Sequence, residues 1–238
     1  MSQTSPFQKV TNFQFTQIQI QKLLDMQGTL NTYIHPQWQQ QNFNFGLAIN
    51  DEVMEIHGHL GWKWWKEGHG AGLTKSNLTQ VKLEVIDILH FVLSHVFDGW
   101  DCDVIIDYFN CDLYNHSTLE EILDYNIAER DNGTYMIEAW AALARYVGLT
   151  EHEIIQTYTQ KYVLNKFRQD HGYKDGSYKK HWCIGVDTTC GGDTDILQED
   201  NEFLAQLVMD TALMGGDITD ELELYNGLEL GYNSRLNK

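Results

Sequence analysis

Four acids occur as two pairs spaced three apart, Glu52-x-x-Glu55 and Glu84-x-x-Asp87, each inside an otherwise apolar run. On a helix, residues three and four apart share a face with about 5–6 Å between Cβ atoms, so each pair projects side by side. In "VKLEVIDILHFVLSHVF" (81–97), Glu84, Asp87, His90 and Phe91 share a face, and Val85, Ile86, Ile88, Leu89, Val92 and Leu93 cover the rest. A helix apolar nearly all round is buried, so its acids are buried too or line a cleft. An uncompensated buried carboxylate is costly and must be paired, protonated or bound to a cation. Lys63, Lys66 and Lys82 lie elsewhere on the helical wheel or at an end. Divalent cations held by Glu52, Glu55, Glu84 and Asp87 are the economical solution, and oxygen donors suit Mg²⁺, with Mn²⁺ as substitute. One such pair alone would read as a solvated face; two, both in apolar helices, do not. Asp87-x-x-His90 matches half of a di-iron carboxylate motif, but no second copy occurs. Asp51 points about 100° away from Glu52 and is left out of the ligand set, while His59 is a candidate hydrogen-bond partner for it.

A second cluster has the opposite sign. Residues 161–180, "KYVLNKFRQDHGYKDGSYKK", hold Lys161, Lys166, Arg168, Lys174, Lys179 and Lys180 against only Asp170 and Asp175. In a chain of net charge -18 this concentration asks for an anionic partner. Lys161, Asn165 and Arg168 fall at helical spacing, and Gly172 and Gly176 read as a flexible extension able to close over a ligand. An acidic metal cluster beside a compact cationic segment fits a polyphosphate ester, its charge bridged by metal and clamped by Lys and Arg. No GxxxxGK[ST] loop is present, which excludes a P-loop enzyme.

The elements that must position these residues read as helices. The 238 residues contain two prolines, and helical periodicity recurs without strand-like alternation, which gives an all-α fold class. Helices are expected near 12–33, 43–65, 76–97, 118–147, 151–170 and 196–214. We expect one domain over 1–238, with 98–117 and 183–195 irregular and candidate insertions. Ser76 or Thr74 is the expected cap of the third helix. The acidic balance argues against a nucleic-acid or anionic-membrane surface. No export signal or membrane span is evident, so the expected location is cytoplasmic, with Cys102, Cys111, Cys183 and Cys190 as free thiols.

Glu52-x-x-Glu55 followed by "GWKWWK", Glu84-x-x-Asp87 in "LEVIDILHF", and "VLNKFRQDHGYKDG" (163–176) together resemble the dimeric, all-α dUTPases of the nucleoside triphosphate pyrophosphohydrolase superfamily. The paired acids are shared across that superfamily; the other two motifs are much narrower. The resemblance covers about 20–97 and 155–180. It implies a helical bundle with a mobile C-terminal phosphate-binding segment, assembled as a homodimer. Glu52, Glu55, Glu84 and Asp87 would hold Mg²⁺, and Glu52 or Glu55 would be the catalytic base. Phosphates would fall to Lys161, Arg168, Tyr173 and Lys180, with Lys174 and Lys179 in the same basic stretch and Lys179 able to replace its neighbour. Gln27 and Asn31 sit where the family contacts uracil, and Trp62, His90, Phe91 and Asn165 would complete the nucleoside pocket. Substrates would be dUTP and dUDP, with water attacking the β-phosphorus to release dUMP. Uracil offers an acceptor at O4 beside a donor at N3, which one side-chain amide satisfies only if a second group fixes its orientation. Two alternatives stay open on sequence alone: a sister pyrophosphohydrolase for another nucleotide such as dCTP, and a non-catalytic regulatory binding protein on the same scaffold.

Overall fold

A computed structural model describes residues 12–97, 99–111, 118–187 and 194–236. Cys190 and parts of both candidate insertions, 112–117 and 188–193, lie outside the described residues. The protein is predominantly helical, with one small two-stranded sheet, in keeping with an all-α fold. By its internal contacts the chain divides into two compact units, Met1–Tyr158 and Thr159–Lys238.

The first unit carries α1 (Gln17–Ile34), α2 (Phe45–His59), α3 (Leu78–Val96), α4 (Cys102–Phe109), α5 (Leu119–Ala128), α6 (Gly133–Tyr146) and the start of α7 (Glu151–Asp170). Three of these helices begin on the same device. Thr16 with Gln19, Thr118 with Glu121 and Thr150 with Glu153 exchange side-chain-to-backbone bonds, each satisfying two donors that a helix start leaves orphaned. Such caps contribute about 1 kcal/mol apiece.

Helix α3 is the hub. Val81, Val85, Ile86, Ile88, Leu89, Val92, Leu93 and Val96 are all buried, as its nearly continuous apolar surface requires. From α6, the fully buried Trp140 donates its indole N–H to the Val85 carbonyl at 2.8 Å. Gly28 lets α1 come close, since a Cβ there would collide with the Phe97 ring. The α2–α3 connector is closed by Asn77, whose Nδ2 donates to His59 O at 3.0 Å and Gly72 O at 2.8 Å. Asn77 is therefore the residue that caps the approach to α3, with Thr74 Oγ1 accepting from the Asn77 N–H at 3.4 Å; Ser76 bonds only the Thr74 hydroxyl.

In the second unit α7 continues, followed by β1 (His181–Asp187), β2 (Thr194–Glu199), α8 (Asp200–Leu213) and α9 (Glu221–Leu236). The strands pair antiparallel, with His181 opposite Glu199 and an irregularity between Cys183 and Gly185. Phe167 centres an aromatic core of His171, Tyr178, Trp182, Tyr225 and Tyr232, all with centroids within 6.2 Å of it.

Several expectations are corrected here. The single helix over 118–147 is two, because Asp131-Asn132-Gly133 supplies turn chemistry between α5 and α6. Within 98–117, Asp101 caps the short helix α4, which buries Ile105 and Phe109. Residues 183–187 and 194–195 lie in the two paired strands, and 196–199 belong to β2, so the helix expected from 196 starts at Asp200. In the segment after Gly172, Tyr173 N–H donates to Arg168 O at 2.9 Å and Ser177 N–H to Gly172 O at 3.0 Å. No helix among the described residues is long and apolar enough to cross a membrane.

Candidate active site

Glu52 and Glu55 stand one turn apart on α2 and face Glu84 on α3, as the three-residue spacing requires. Ligand oxygens of all three lie within 4.8 Å of one another. Glu84 is buried, Glu52 half-buried and Glu55 exposed, so the cluster opens from protein interior to solvent. Asp87, half-buried on the next turn of α3, is not among the three acids that converge. His59 ends α2 and places Nε2 2.9 Å from Glu84 Oε1, which orients the buried carboxylate. Beside the acids a depression of about 350 Å³ is lined by Asp51, Met54, Glu55, Gly58, His59 and Lys63. Three carboxylates at this separation fit a hard divalent cation, since their mutual repulsion is relieved by an oxygen-liganded ion.

Farther along α3, three of the residues tied to the nucleoside by resemblance, Gln27, Asn31 and His90, join one hydrogen-bonded network. Gln27 is 3% exposed, and its Nε2 donates to Asn31 Oδ1 and Ser94 Oγ, each at 2.8 Å. Its Oε1 accepts from the Tyr158 hydroxyl at 2.5 Å and lies 2.7 Å from His90 Nδ1. The Tyr158 ring stacks on the His90 ring at 4.0 Å. Gln27, Asn31 and His90 are thus brought together, with Phe91 half-buried on the same helix. Trp62 is 44% exposed and edge-on to Trp65 at 5.3 Å, in a run where Trp64 and Trp65 are also exposed.

The basic stretch lies wholly in the second unit, with Lys161, Asn165 and Arg168 on α7. Its cations divide by burial. Lys161 is 1% exposed and donates to Asn201 Oδ1 at 3.1 Å. Arg168 is buried, with Nε and one terminal nitrogen each 2.8 Å from the Asp200 carboxylate and the other terminal nitrogen 3.1 Å from Asn165 Oδ1. Asp200 also accepts from the Tyr178 hydroxyl at 2.8 Å. Burial pushes the Asp200 carboxyl up, but the Arg168 hydrogen bonds and charge outweigh it and leave the group below its ordinary value. Burial, then the Asp200 charge, raises the Tyr178 phenol well above its ordinary value. Lys161 and Arg168, expected at helical spacing on one face, are thus both buried against these partners. Tyr173, Lys174, Lys179 and Lys180 are exposed, with Lys180 Nζ 5.7 Å from the Tyr173 ring centre.

Three residues of these networks are new relative to the sequence reading: Ser94, Tyr158 and Asp200. Ser94 carried a legible signal, falling four residues after His90 and seven after Asp87 on one helical face. Tyr158 and Asp200 carried none, because their partners are 131 and 32 residues away.

The fold and the acid cluster define a helical protein whose acidic centre is carried by a pair of packed helices. The family profile described as dUTPase matches residues 19–173, more than half the chain, and the protein belongs to that family. The match takes in the acid cluster and the Gln27 network; Lys174, Lys179, Lys180, the hairpin, α8 and α9 lie past its end. A comparison with curated proteins finds no match.

Proposed function

We propose that the protein is a Mg²⁺-dependent dUTP diphosphatase that converts dUTP to dUMP and pyrophosphate, and dUDP to dUMP and phosphate. The convergence of Glu52, Glu55 and Glu84 from two helices, in a chain of the dUTPase family, carries the reading. These three acids, with Asp87 one turn further on α3, would hold Mg²⁺ or Mn²⁺. An ion held there would supply positive charge against the phosphate oxygens and favour attack by water.

The chain's own groups supply the rest. Glu52 or Glu55 takes the proton of the attacking water, and Glu52 is the preferred candidate. Water oxygen bonds to the β-phosphorus, the bond from that phosphorus to the bridging oxygen breaks, and dUMP leaves with the bridging electron pair. His59 holds Glu84 in one orientation. Asn31 and Gln27 are assigned to the base, with Trp62, His90, Phe91 and Asn165 around the nucleoside. Exposed Tyr173, Lys174, Lys179 and Lys180 are the preferred phosphate contacts of the second unit, while Lys161 and Arg168 stabilise it from within. A cytoplasmic homodimer is the proposed setting, and the exposed Trp64 and Trp65 support the dimer.

The test is pyrophosphate release from dUTP with Mg²⁺, with Mn²⁺ and in excess chelator. Turnover is expected with either ion and absent in chelator. Undiminished turnover in chelator overturns the metal assignment.

A further inference from the structure

Helices α8 and α9 meet through glycines. A Cβ added at Gly227 would collide with the Leu207 side chain, and one at Gly231 with the Phe203 ring. Glycine is a poor helix former, so two of them one turn apart inside α9 reflect this close approach rather than helix propensity. The pairs Leu207–Gly227 and Phe203–Gly231 also fix the register, with α9 returning antiparallel to α8.

Burial divides both helices in the same way. Leu204 and Thr211 of α8, and Leu224, Leu228 and Tyr232 of α9, are buried and lie to one side of the contact rows. Met209 and Leu213 of α8, and Leu222 and Leu230 of α9, lie to the other side and are 57–80% exposed. In an antiparallel pair this puts both exposed rows on one common face. A single exposed leucine needs no explanation, but four large apolar side chains on one face mark an interaction surface.

Charge selects what can cover that face. Glu202 and Asp210 flank the apolar pair on α8, Glu223 and Glu229 flank the pair on α9, and all four are exposed. A neutral amide, Gln206, donates to Asp210 at 2.8 Å and leaves its charge in place. From His181 to Ser234 the sequence carries twelve acids and no Lys or Arg. Among the described residues of α8 and α9 the one cation is Arg235, whose guanidinium sits 4.2 Å from the centre of the Phe203 ring and donates to Gln198 Oε1 at 3.1 Å. Such a face repels anionic lipid and nucleic acid. A second copy placed symmetrically on it would set these acids against themselves. A segment that is both basic and apolar meets both demands.

Shape narrows the partner further. The eight residues from Leu222 to Leu230 span about 12 Å at 1.5 Å per residue, a little over two helical turns. A helix of three turns laid along the furrow between α8 and α9 presents apolar side chains at i, i+3, i+4 and i+7 to the four exposed apolar residues, and basic side chains to the flanking acids, as helix-in-groove recognition does.

We propose that the outer face of α8 and α9 is a docking surface for a basic amphipathic helix of another protein. Docking here is independent of the dUTPase reading, because both helices lie beyond residue 173, where the family match ends.

The probe is a synthetic peptide of about 18 residues, long enough for helix to form on the surface, with leucines at helical spacing and Lys and Arg elsewhere. Its control has the same composition scrambled to erase the apolar stripe. Fluorescence anisotropy at an ionic strength of about 0.15 M, where surface charge alone is largely screened, is expected to show the striped peptide binding at least about tenfold tighter than the control. Leu213→Ser with Leu222→Ser is expected to weaken it at least about tenfold. Glu223→Gln with Glu229→Gln is expected to weaken it and flatten its salt dependence. Equal binding of the two peptides, or no loss in the leucine variant, reduces the effect to charge attraction and overturns the proposal. Self-association of wild type that the leucine variant abolishes in sedimentation assigns the face to a second copy and also overturns it. On wild-type protein, independent of any variant's folding, the striped peptide is expected to slow hydrogen exchange in α8 and α9; slowing confined to other elements contradicts the assignment.

Discussion

Replacing Asp200 with Asn is expected to destabilise the second unit severely, because it strips the counter-charge from a buried arginine. Asp200 is fully buried and accepts three hydrogen bonds, two from Arg168 and one from Tyr178. Asparagine keeps the shape but removes the negative charge that faces Arg168, itself 8% exposed. Breaking such a pair costs about 3–5 kcal/mol, a large share of a typical 5–15 kcal/mol of domain stability. The double replacement Arg168→Met with Asp200→Leu removes both charges and is expected to lose far less. Urea titrations of wild type, Asp200→Asn and the double variant, followed by tryptophan fluorescence, make the comparison. The pH dependence follows with a definite sign. The folded Asp200 carboxyl titrates below its ordinary 3.8, so its contribution is complete above about pH 4 and is lost as the pH falls through the lower folded value. Tyr178 is shifted upward, so its contribution is complete below its ordinary 10 and fades above that. A loss under about 1 kcal/mol in Asp200→Asn, the range of an exposed pair, would refute the argument that Arg168 is held as a structural cation.

Two further outcomes concern the chemistry. Glu52→Gln is expected to lower kcat by about 10²–10⁴-fold, the range for losing a general base, with nucleotide binding affected less; if Glu55→Gln shows that loss while Glu52→Gln stays active, the two exchange roles. Hydrolysis in ¹⁸O water is expected to label pyrophosphate and leave dUMP unlabelled, and label in dUMP together with inert dUDP contradicts attack at the β-phosphorus.

The acid pairs and their helices were legible because helical periodicity is local: Glu52, Glu55 and Glu84 announce themselves by spacing within apolar runs, and the structure brings these three together. Asp87 obeys the same spacing, yet sharing a face with Glu84 does not by itself bring its oxygens to the cluster. The hairpin of His181–Asp187 and Thr194–Glu199 was hidden because each strand is short and interrupted by glycine or polar residues. Helix α9 was missed although Leu224, Leu228 and Tyr232 repeat every four residues, since the glutamates and glycines between them mask the stripe. The burial of Lys161 and Arg168 was beyond local reading: a cation on a helix looks solvated until its partner, here Asn201 or Asp200, is known. Ser94 lies between these cases, its position on the acid-bearing face legible and its hydrogen bonds to Gln27 and Asn31 visible only once α1 and α3 are packed.

The most direct measurement of the central claim is product analysis after incubation with equal dUTP, dTTP, dCTP and UTP, each with Mg²⁺. Conversion of dUTP to dUMP and pyrophosphate, with the other three nucleotides left largely intact and all turnover abolished in Glu84→Gln, is the expected result. Equal hydrolysis of dCTP or dTTP, or no hydrolysis of any of the four by wild-type protein that binds Mg²⁺, would contradict it.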